Sequence, residues 1–145
     1  MTLLIAAPFQ HPFRVRYAET DAQGIVFYGN YLIYFDTAIY EYLRNLEFDL
    51  KTHVAHSGAD FHVVHAAVDY NAPARFEDDL RVNISVGRIG RSSLTFQGHV
   101  YLAANDTLLA AGKIVWAYVH QQSQQSMALP PELVQRIEAY ENPKS

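Results

Sequence analysis

The chain reads as an α+β domain in which an antiparallel sheet wraps one long helix. Two patterns predict this: one stretch with apolar residues every three or four positions, and a later series of segments in which they alternate every second position. The later segments follow one another through hairpin-type links, without the intervening helices that a parallel sheet requires.

A first strand is expected around residues 13–17. The helix follows over 30–48, where Leu32, Phe35, Ile39, Tyr42, Leu43 and Leu46 keep the helical step. Tyr31, Ile33, Tyr34, Ala38 and Tyr40 widen its apolar face, so it is expected to be enclosed on most sides. A strand over 62–70 is expected next, ended by Pro73. Asp78 and Asp79 read as turn residues. Beyond them Leu80, Val82, Ile84 and Val86 alternate with Arg81, Asn83, Ser85 and Gly87, and Leu94, Phe96, Val100 and Leu102 continue the alternation through Gly98. The link at 88–92 contains Gly90 and fits a hairpin. Over 108–120 both alternating sets are largely apolar, with Ile114, Trp116 and Tyr118 on one side and Val115, Ala117 and Val119 on the other. That strand is expected to be buried on both faces. Pro130 and Pro131 open a short helix through Tyr140, since proline is tolerated in a first helical turn.

A chain of 145 residues with 50% apolar content supports one core, so residues 1–145 are expected to form a single domain. Cysteine is absent, which excludes disulfides, a thiolate nucleophile and a cysteine zinc site. A net charge of −4 argues against nucleic acid as a partner, because phosphate backbones demand clustered Lys and Arg. No run approaches the roughly 20 apolar residues of a membrane helix. The apolar stretch at 3–7 lacks a basic flank and soon meets Pro8, so no secretory signal is expected and the protein is read as soluble and cytoplasmic. Repeats and low-complexity segments are absent; residues 121–126, rich in Gln and Ser, read as a loop.

The chemistry-bearing residues concentrate between the first strand and the helix, in Thr20-Asp-Ala-Gln-Gly-Ile-Val-Phe-Tyr-Gly-Asn-Tyr31. A loop that feeds a helix N-terminus offers unpaired N–H groups and the positive end of the helix dipole, both suited to an anion. Asp21 lies seven residues before Tyr28, with Gly24 permitting the chain to turn back between them. Read from the residues alone, Asp21 is either an aspartate that closes a turn or caps the helix, or a catalytic carboxylate. Phe27, Tyr28 and Tyr31 are either core aromatics or the walls of a pocket. A thioester asks little of such a site: its leaving thiol has a pKa of about 8.5, so one carboxylate and one oxyanion donor suffice.

The seven histidines do not form a known ligand motif. His62 and His65, three apart on a strand, are expected on opposite faces, and no metal site is predicted. Arg88 and Arg91 flank Gly90 and either pair with phosphates or solvate a turn. The stretch Gly87-Arg-Ile-Gly-Arg-Ser92 is not a phosphate loop, since no Gly-Lys-Ser/Thr follows.

The run from Thr20 to Tyr31, a second block His65-Ala-Ala-Val-Asp-Tyr-Asn-Ala-Pro-Ala-Arg-Phe-Glu-Asp-Asp-Leu80, and Arg91-Ser-Ser-Leu-Thr-Phe96 together resemble the 4-hydroxybenzoyl-CoA thioesterase-like branch of the hotdog family. The likeness spans roughly residues 13–129. It implies a five-stranded sheet around a central helix, a hotdog core at about 10–129 and a C-terminal helix at 130–141. It implies hydrolysis of an acyl-CoA to free acid and coenzyme A, with Asp21 as nucleophile or general base and the Tyr28 backbone N–H as oxyanion donor. Tol-Pal-associated relatives carry histidine where this chain has Tyr28; the backbone role survives, and the likeness moves toward members that take aromatic acyl groups, including 1,4-dihydroxy-2-naphthoyl-CoA hydrolases. A hydroxybenzoyl, dihydroxynaphthoyl or short-chain acyl group is expected. Gly24, Phe27, Asn30, Tyr31 and His65 are expected around the substrate, with Arg88, Arg91 and Ser92 at the nucleotide. No cofactor is implied beyond the coenzyme A of the substrate. The resemblance and the apolar last strand imply a homodimer or homotetramer.

Two rival readings are kept. A hotdog hydratase or dehydratase needs an Asp and His pair at the loop, and no histidine lies between Thr20 and Tyr31. A non-catalytic acyl-CoA-binding hotdog protein of the repressor kind carries a helix-turn-helix, for which the residues before His11 are too few.

Overall fold

Apolar residues at helical spacing lay Tyr31, Tyr34, Phe35, Ala38, Ile39, Tyr42 and Leu43 along one side of α1 (Asn30–Asn45), and all are buried. The computed structural model describes residues 9–142; the apolar stretch at 3–7 lies outside the described residues. Around α1 are β1 (Phe9–Arg14), α2 (Leu50–Ser57), β2 (Ala59–Tyr70), β3 (Asp79–Ile89), β4 (Ser93–Leu102), β5 (Thr107–His120) and α3 (Pro131–Glu141). The strands form one five-stranded sheet in the order β1-β3-β4-β5-β2, antiparallel throughout.

The helix is seated on the sheet through Phe35. In register, Gly98 of β4 faces Gly112 of β5, and the Phe35 ring lies over the pair. A Cβ added at Gly98 would come within 2.5 Å of the ring, and one at Gly112 within 2.6 Å. Two strand glycines, individually unfavourable in a sheet, thus open the depression that accepts an aromatic side chain. Leu80, Val82, Ile84, Leu94, Phe96, Val100, Ile114 and Trp116 complete the core around it.

Several expectations are corrected. The first strand runs over Phe9–Arg14 rather than 13–17. Beyond Arg14 the buried Val15 leads into a 3-10 turn, Tyr17–Glu19, that ends sheet pairing. The helix ends at Asn45, and its far flank is open rather than enclosed, since Leu32, Ile33 and Tyr40 are 41%, 56% and 40% exposed. In β5, Ile114, Trp116 and Tyr118 are buried against the helix, but Val115, Ala117 and Val119 are only half-buried. They lie on the outer face of the sheet, which no helix among the described residues covers. The short helix α2 was not expected; Asp49 caps it by accepting from Thr52 N–H, and Gly58, at φ +71°, ends it.

His62 and His65 do not face opposite ways. A bulge inserts Val64, so His62 pairs with Ala117 and His65 with Val115, two residues of β5 on one side. Both histidines therefore share the outer face. Among the described residues no cluster of His, Asp or Glu suits a metal ion, and no helix is long and apolar enough to cross a membrane.

Polar ties fix the ends of α1. Near its C-terminus, Tyr42 donates to Glu141 Oε1 at 2.6 Å, and the same oxygen accepts from Val86 N–H at 2.9 Å, which docks α3. Near its N-terminus, Tyr34 donates to Glu19 Oε1 at 3.0 Å, while the Glu19 carbonyl accepts from Asn30 Nδ2 at 2.8 Å and Phe27 N–H at 2.9 Å. Burial raises the Glu19 carboxyl, but the Arg16 amide and guanidinium and the Tyr34 hydroxyl outweigh it and hold the group below its ordinary 4.5.

Two predictions follow from these contacts. Gly98→Ala is expected to destabilise the fold by about 1–3 kcal/mol, and Phe35→Leu in the same chain to recover part of that loss, as read by urea unfolding; independent, additive losses would refute the Phe35 seat. Glu19→Gln is expected to cost about 1–2 kcal/mol at neutral pH. A depressed carboxyl stabilises the fold above its unfolded value, so the gap between variant and native protein should close as pH falls through and below 4.5. Unfolding at stepped pH measures this, and a constant gap would refute it.

Candidate active site

Asp21 is held by the turn that carries it. Its N–H donates to Ile25 O at 2.8 Å, its carbonyl accepts from Gly24 N–H at 2.9 Å, and its Oδ1 accepts from Gln23 N–H at 2.8 Å. Gly24 sits at φ +76°, a conformation that other residues adopt only with strain. The turn-closing and the chemical readings of Asp21 are thus compatible, because one carboxylate oxygen closes the turn and the other has no hydrogen-bond donor among the described residues. Bridges from Thr20 to Val26 and from Ile25 to Arg75, with Val26 N–H on Ala74 O at 2.9 Å, tie the turn to the segment after β2.

Past Val26 the chain enters α1 through Phe27, Tyr28 and Gly29. Gly29 occupies the N-cap position with no side-chain cap. The Phe27 N–H is taken by Glu19 and that of Asn30 by Phe27 O, whereas the N–H groups of Tyr28 and Gly29 donate to no acceptor among the described residues. Two unpaired donors at the positive end of a helix, on the chain that carries a fixed carboxylate, can stabilise a developing oxyanion.

Beside these amides lies a cavity of about 310 Å³, lined by Ile25, Tyr28, Tyr31, Tyr70, Ala72 and Pro73 among others. It is mostly apolar and walled by aromatic rings: Tyr70 packs edge-on against Tyr31 at 5.3 Å and Tyr28 at 6.4 Å. Burial raises the hydroxyls of Tyr31 and Tyr70, so both stay protonated donors at neutral pH. Asp21 is not part of the lining. Tyr31 is buried, while Phe27 is 44% exposed and stacks beside Tyr28 at 4.6 Å. Asn30 directs one Nδ2–H to the Glu19 carbonyl, which fixes its side chain against the loop and leaves its Oδ1 and second N–H without a partner among the described residues. Tyr70 and Pro73 are lining residues that sequence reasoning did not single out, although both stand in the second family-like block.

A larger cleft, about 730 Å³, lies toward the other end of α1 and is lined by Tyr40, Arg44, Phe48, Leu50 and Asp60 among others. Size does not make it the better site. It lies between the C-terminal end of α1 and the first turn of α2, lined by charges of both signs (Arg44 and Lys51, Glu47, Asp49 and Asp60), and none of the loop residues from Thr20 to Tyr31 borders it.

The remaining candidates do not join the cavity within one chain. His65 is exposed on the outer face of β2. Arg88 and Arg91 are exposed at the β3–β4 hairpin with Ser92, and neither forms an ion pair among the described residues. That hairpin is at the end of the sheet where Leu94 pairs with Trp116, while Tyr70 is at the end where Val100 pairs with Ala110. The separation along the strands is roughly 20 Å.

Comparison with known proteins agrees with this architecture. The family model described as "Thioesterase superfamily" matches residues 23–109, which include every candidate except Asp21. The chain is 32% identical over 125 residues to the acyl-CoA thioesterase YbgC of Haemophilus influenzae, covering 86% of this chain and 90% of that protein. It is 28% identical over 130 residues to a 1,4-dihydroxy-2-naphthoyl-CoA hydrolase of Nostoc punctiforme, covering 90% and 86%. Among solved structures, Slr0204 of Synechocystis, a 1,4-dihydroxy-2-naphthoyl-CoA thioesterase, superposes with a TM-score of 0.87 at 22% identity, over 94% of this chain and all of that one. With this sheet, this buried helix and these relatives, the chain belongs to the thioesterase superfamily and is a thioester hydrolase of the hotdog fold.

Proposed function

We propose that the protein hydrolyses acyl-CoA thioesters, with Asp21 as nucleophile or general base and the Tyr28 N–H as oxyanion donor. The observation that carries this reading is the pair of open amides at Tyr28 and Gly29, at the start of a helix whose entry loop fixes a carboxylate. As nucleophile, Asp21 adds to the thioester carbon, the C–S bond breaks, coenzyme A leaves as thiolate, and water then cleaves the mixed anhydride. As base, Asp21 takes a proton from water, the hydroxide adds, and the tetrahedral intermediate expels the same thiolate. On both routes negative charge develops on the former carbonyl oxygen, where the Tyr28 amide meets it.

An aromatic acyl group fits the proposal best, because the cavity is small, apolar and bounded by the rings of Tyr28, Tyr31 and Tyr70. The named activities of the Haemophilus and Nostoc relatives support coenzyme A as the thiol.

A site shared between two copies also belongs to the proposal. Of the two edge strands, β1 has six described residues and is interrupted as a template by Pro12, whereas β2 has twelve and exposes Val63 and Val64 at 56% and 61%. The second is the better template for pairing. An antiparallel two-fold pairing of β2 edges would set the β3–β4 hairpin of the second copy beside the Tyr28 end of the first. Arg88 and Arg91 of that copy would then meet the nucleotide phosphates. The open flank of α1 at Leu32 and Ile33, in its first turn, would border the acyl group.

Release of free thiol from benzoyl-, phenylacetyl-, naphthoyl- and straight-chain-CoA tests the reaction. Native protein is expected to favour an aromatic member, and Asp21→Asn to lose about a hundredfold or more in kcat while remaining folded; tight binding without turnover would instead make this a non-catalytic acyl-CoA-binding protein. Val64→Lys, which places a charge at the pairing edge, is expected to yield monomers without turnover. Sedimentation velocity checks this, and an active monomer would refute the shared site.

A further inference from the structure

We infer that Tyr70 is a positioning residue: its hydroxyl holds the Tyr28–Gly29 peptide so that the Gly29 N–H, the second open amide beside that of Tyr28, keeps a fixed direction. This rests on the catalytic reading of that loop given above.

The Tyr70 hydroxyl donates to the Tyr28 carbonyl at 2.9 Å, across 42 residues of sequence. In a trans peptide the C=O and N–H point opposite ways, so an anchor on the Tyr28 carbonyl sets the direction of the Gly29 N–H. The helix itself supplies little restraint here. Its own bond to this carbonyl, from Tyr31 N–H, is long at 3.4 Å. Gly29 stands at the N-cap without a side-chain cap, and glycine leaves its peptide freer to rotate than any other residue would. The neighbouring peptide is held differently, because the Phe27 carbonyl accepts from Asn30 N–H at 2.9 Å. The tyrosine hydroxyl is therefore the short bond on the one peptide that the helix holds loosely.

Tyr70 is suited to this task by its place. It is the last residue of β2, an element built by sheet pairing and independent of the loop it restrains. Its ring is wedged edge-on between Tyr31 and Tyr28, which limits the arc its hydroxyl can sweep. Preorganised donors stabilise a transition state because they need no reorientation as charge develops. A donor free to rotate would lose much of that advantage while leaving substrate affinity nearly unchanged.

The test compares native protein with Tyr70→Phe, which keeps the ring and removes only the hydroxyl of a side chain that is 49% exposed. With the thioester of the panel above that native protein cleaves fastest, kcat is expected to fall about tenfold with KM within about twofold, at an unchanged melting temperature. A raised KM at unchanged kcat would mean that the Tyr70 hydroxyl itself serves the substrate rather than the Tyr28 carbonyl, and would overturn the inference. Native kcat in Tyr70→Phe, with Asp21→Asn inactive, would overturn it and leave the hydrolase proposal standing. If native protein cleaves no thioester, the hydrolase proposal fails alone, since 15N relaxation of the Gly29 amide still decides the anchor. Order at Gly29 is expected to drop in Tyr70→Phe, and unchanged order would overturn the inference whatever the activity.

Discussion

The seating of Phe35 on the Gly98–Gly112 pair is the contact on which the rest of the molecule depends. A helix can slide or roll on a uniformly apolar sheet at little cost, because dispersion and burial are nearly direction-free. A ring lodged where two facing strands lack side chains has one position. That position sets how far α1 projects beyond the sheet, and hence where its first turn stands relative to the end of β2. The geometry of the Tyr28 amide is in this sense decided seven residues away, in the core.

Given that seat, polar contacts refine what packing only roughs out. Glu19 serves both of its functional groups: its carboxylate receives Tyr34 and Arg16, and its carbonyl receives Phe27 and Asn30. The Asp21 turn, the helix start and the segment after β2 are thereby joined in one network. Such bonds matter less for total stability than for uniqueness, since partly buried polar groups tolerate few alternative arrangements. An oxyanion site needs that uniqueness, as its donors act only along one direction.

Much of the fold was legible because two periods dominate the sequence. The three- and four-residue step of α1 and the alternation in β3, β4 and β5 place those elements within a few residues of their observed bounds. What was missed has physical causes. The bulge at Val64 reverses the facing of His65 by inserting one residue, and a single insertion leaves no mark in composition. The helix α2 carries only a weak amphipathic pattern, although Asp49 and Gly58, its capping pair, were visible signals. The half-exposed outer side of β5 is a face that no helix among the described residues covers, and apolar alternation does not say whether such a face is covered. For the site, the loop around Asp21 and Tyr28 was legible through resemblance. The hydroxyl of Tyr70 was not, because a hydrogen bond spanning 42 residues depends on tertiary approach alone.

The free margin of β2 has a further consequence, for biogenesis rather than for chemistry. A twelve-residue strand with open N–H and C=O groups and bare valines accepts any extended polypeptide, native or not. In a newly synthesised chain, folding therefore competes with adhesion of misfolded neighbours to this margin. Chain concentration then bears on how much of it reaches the finished fold, beside the stability of that fold.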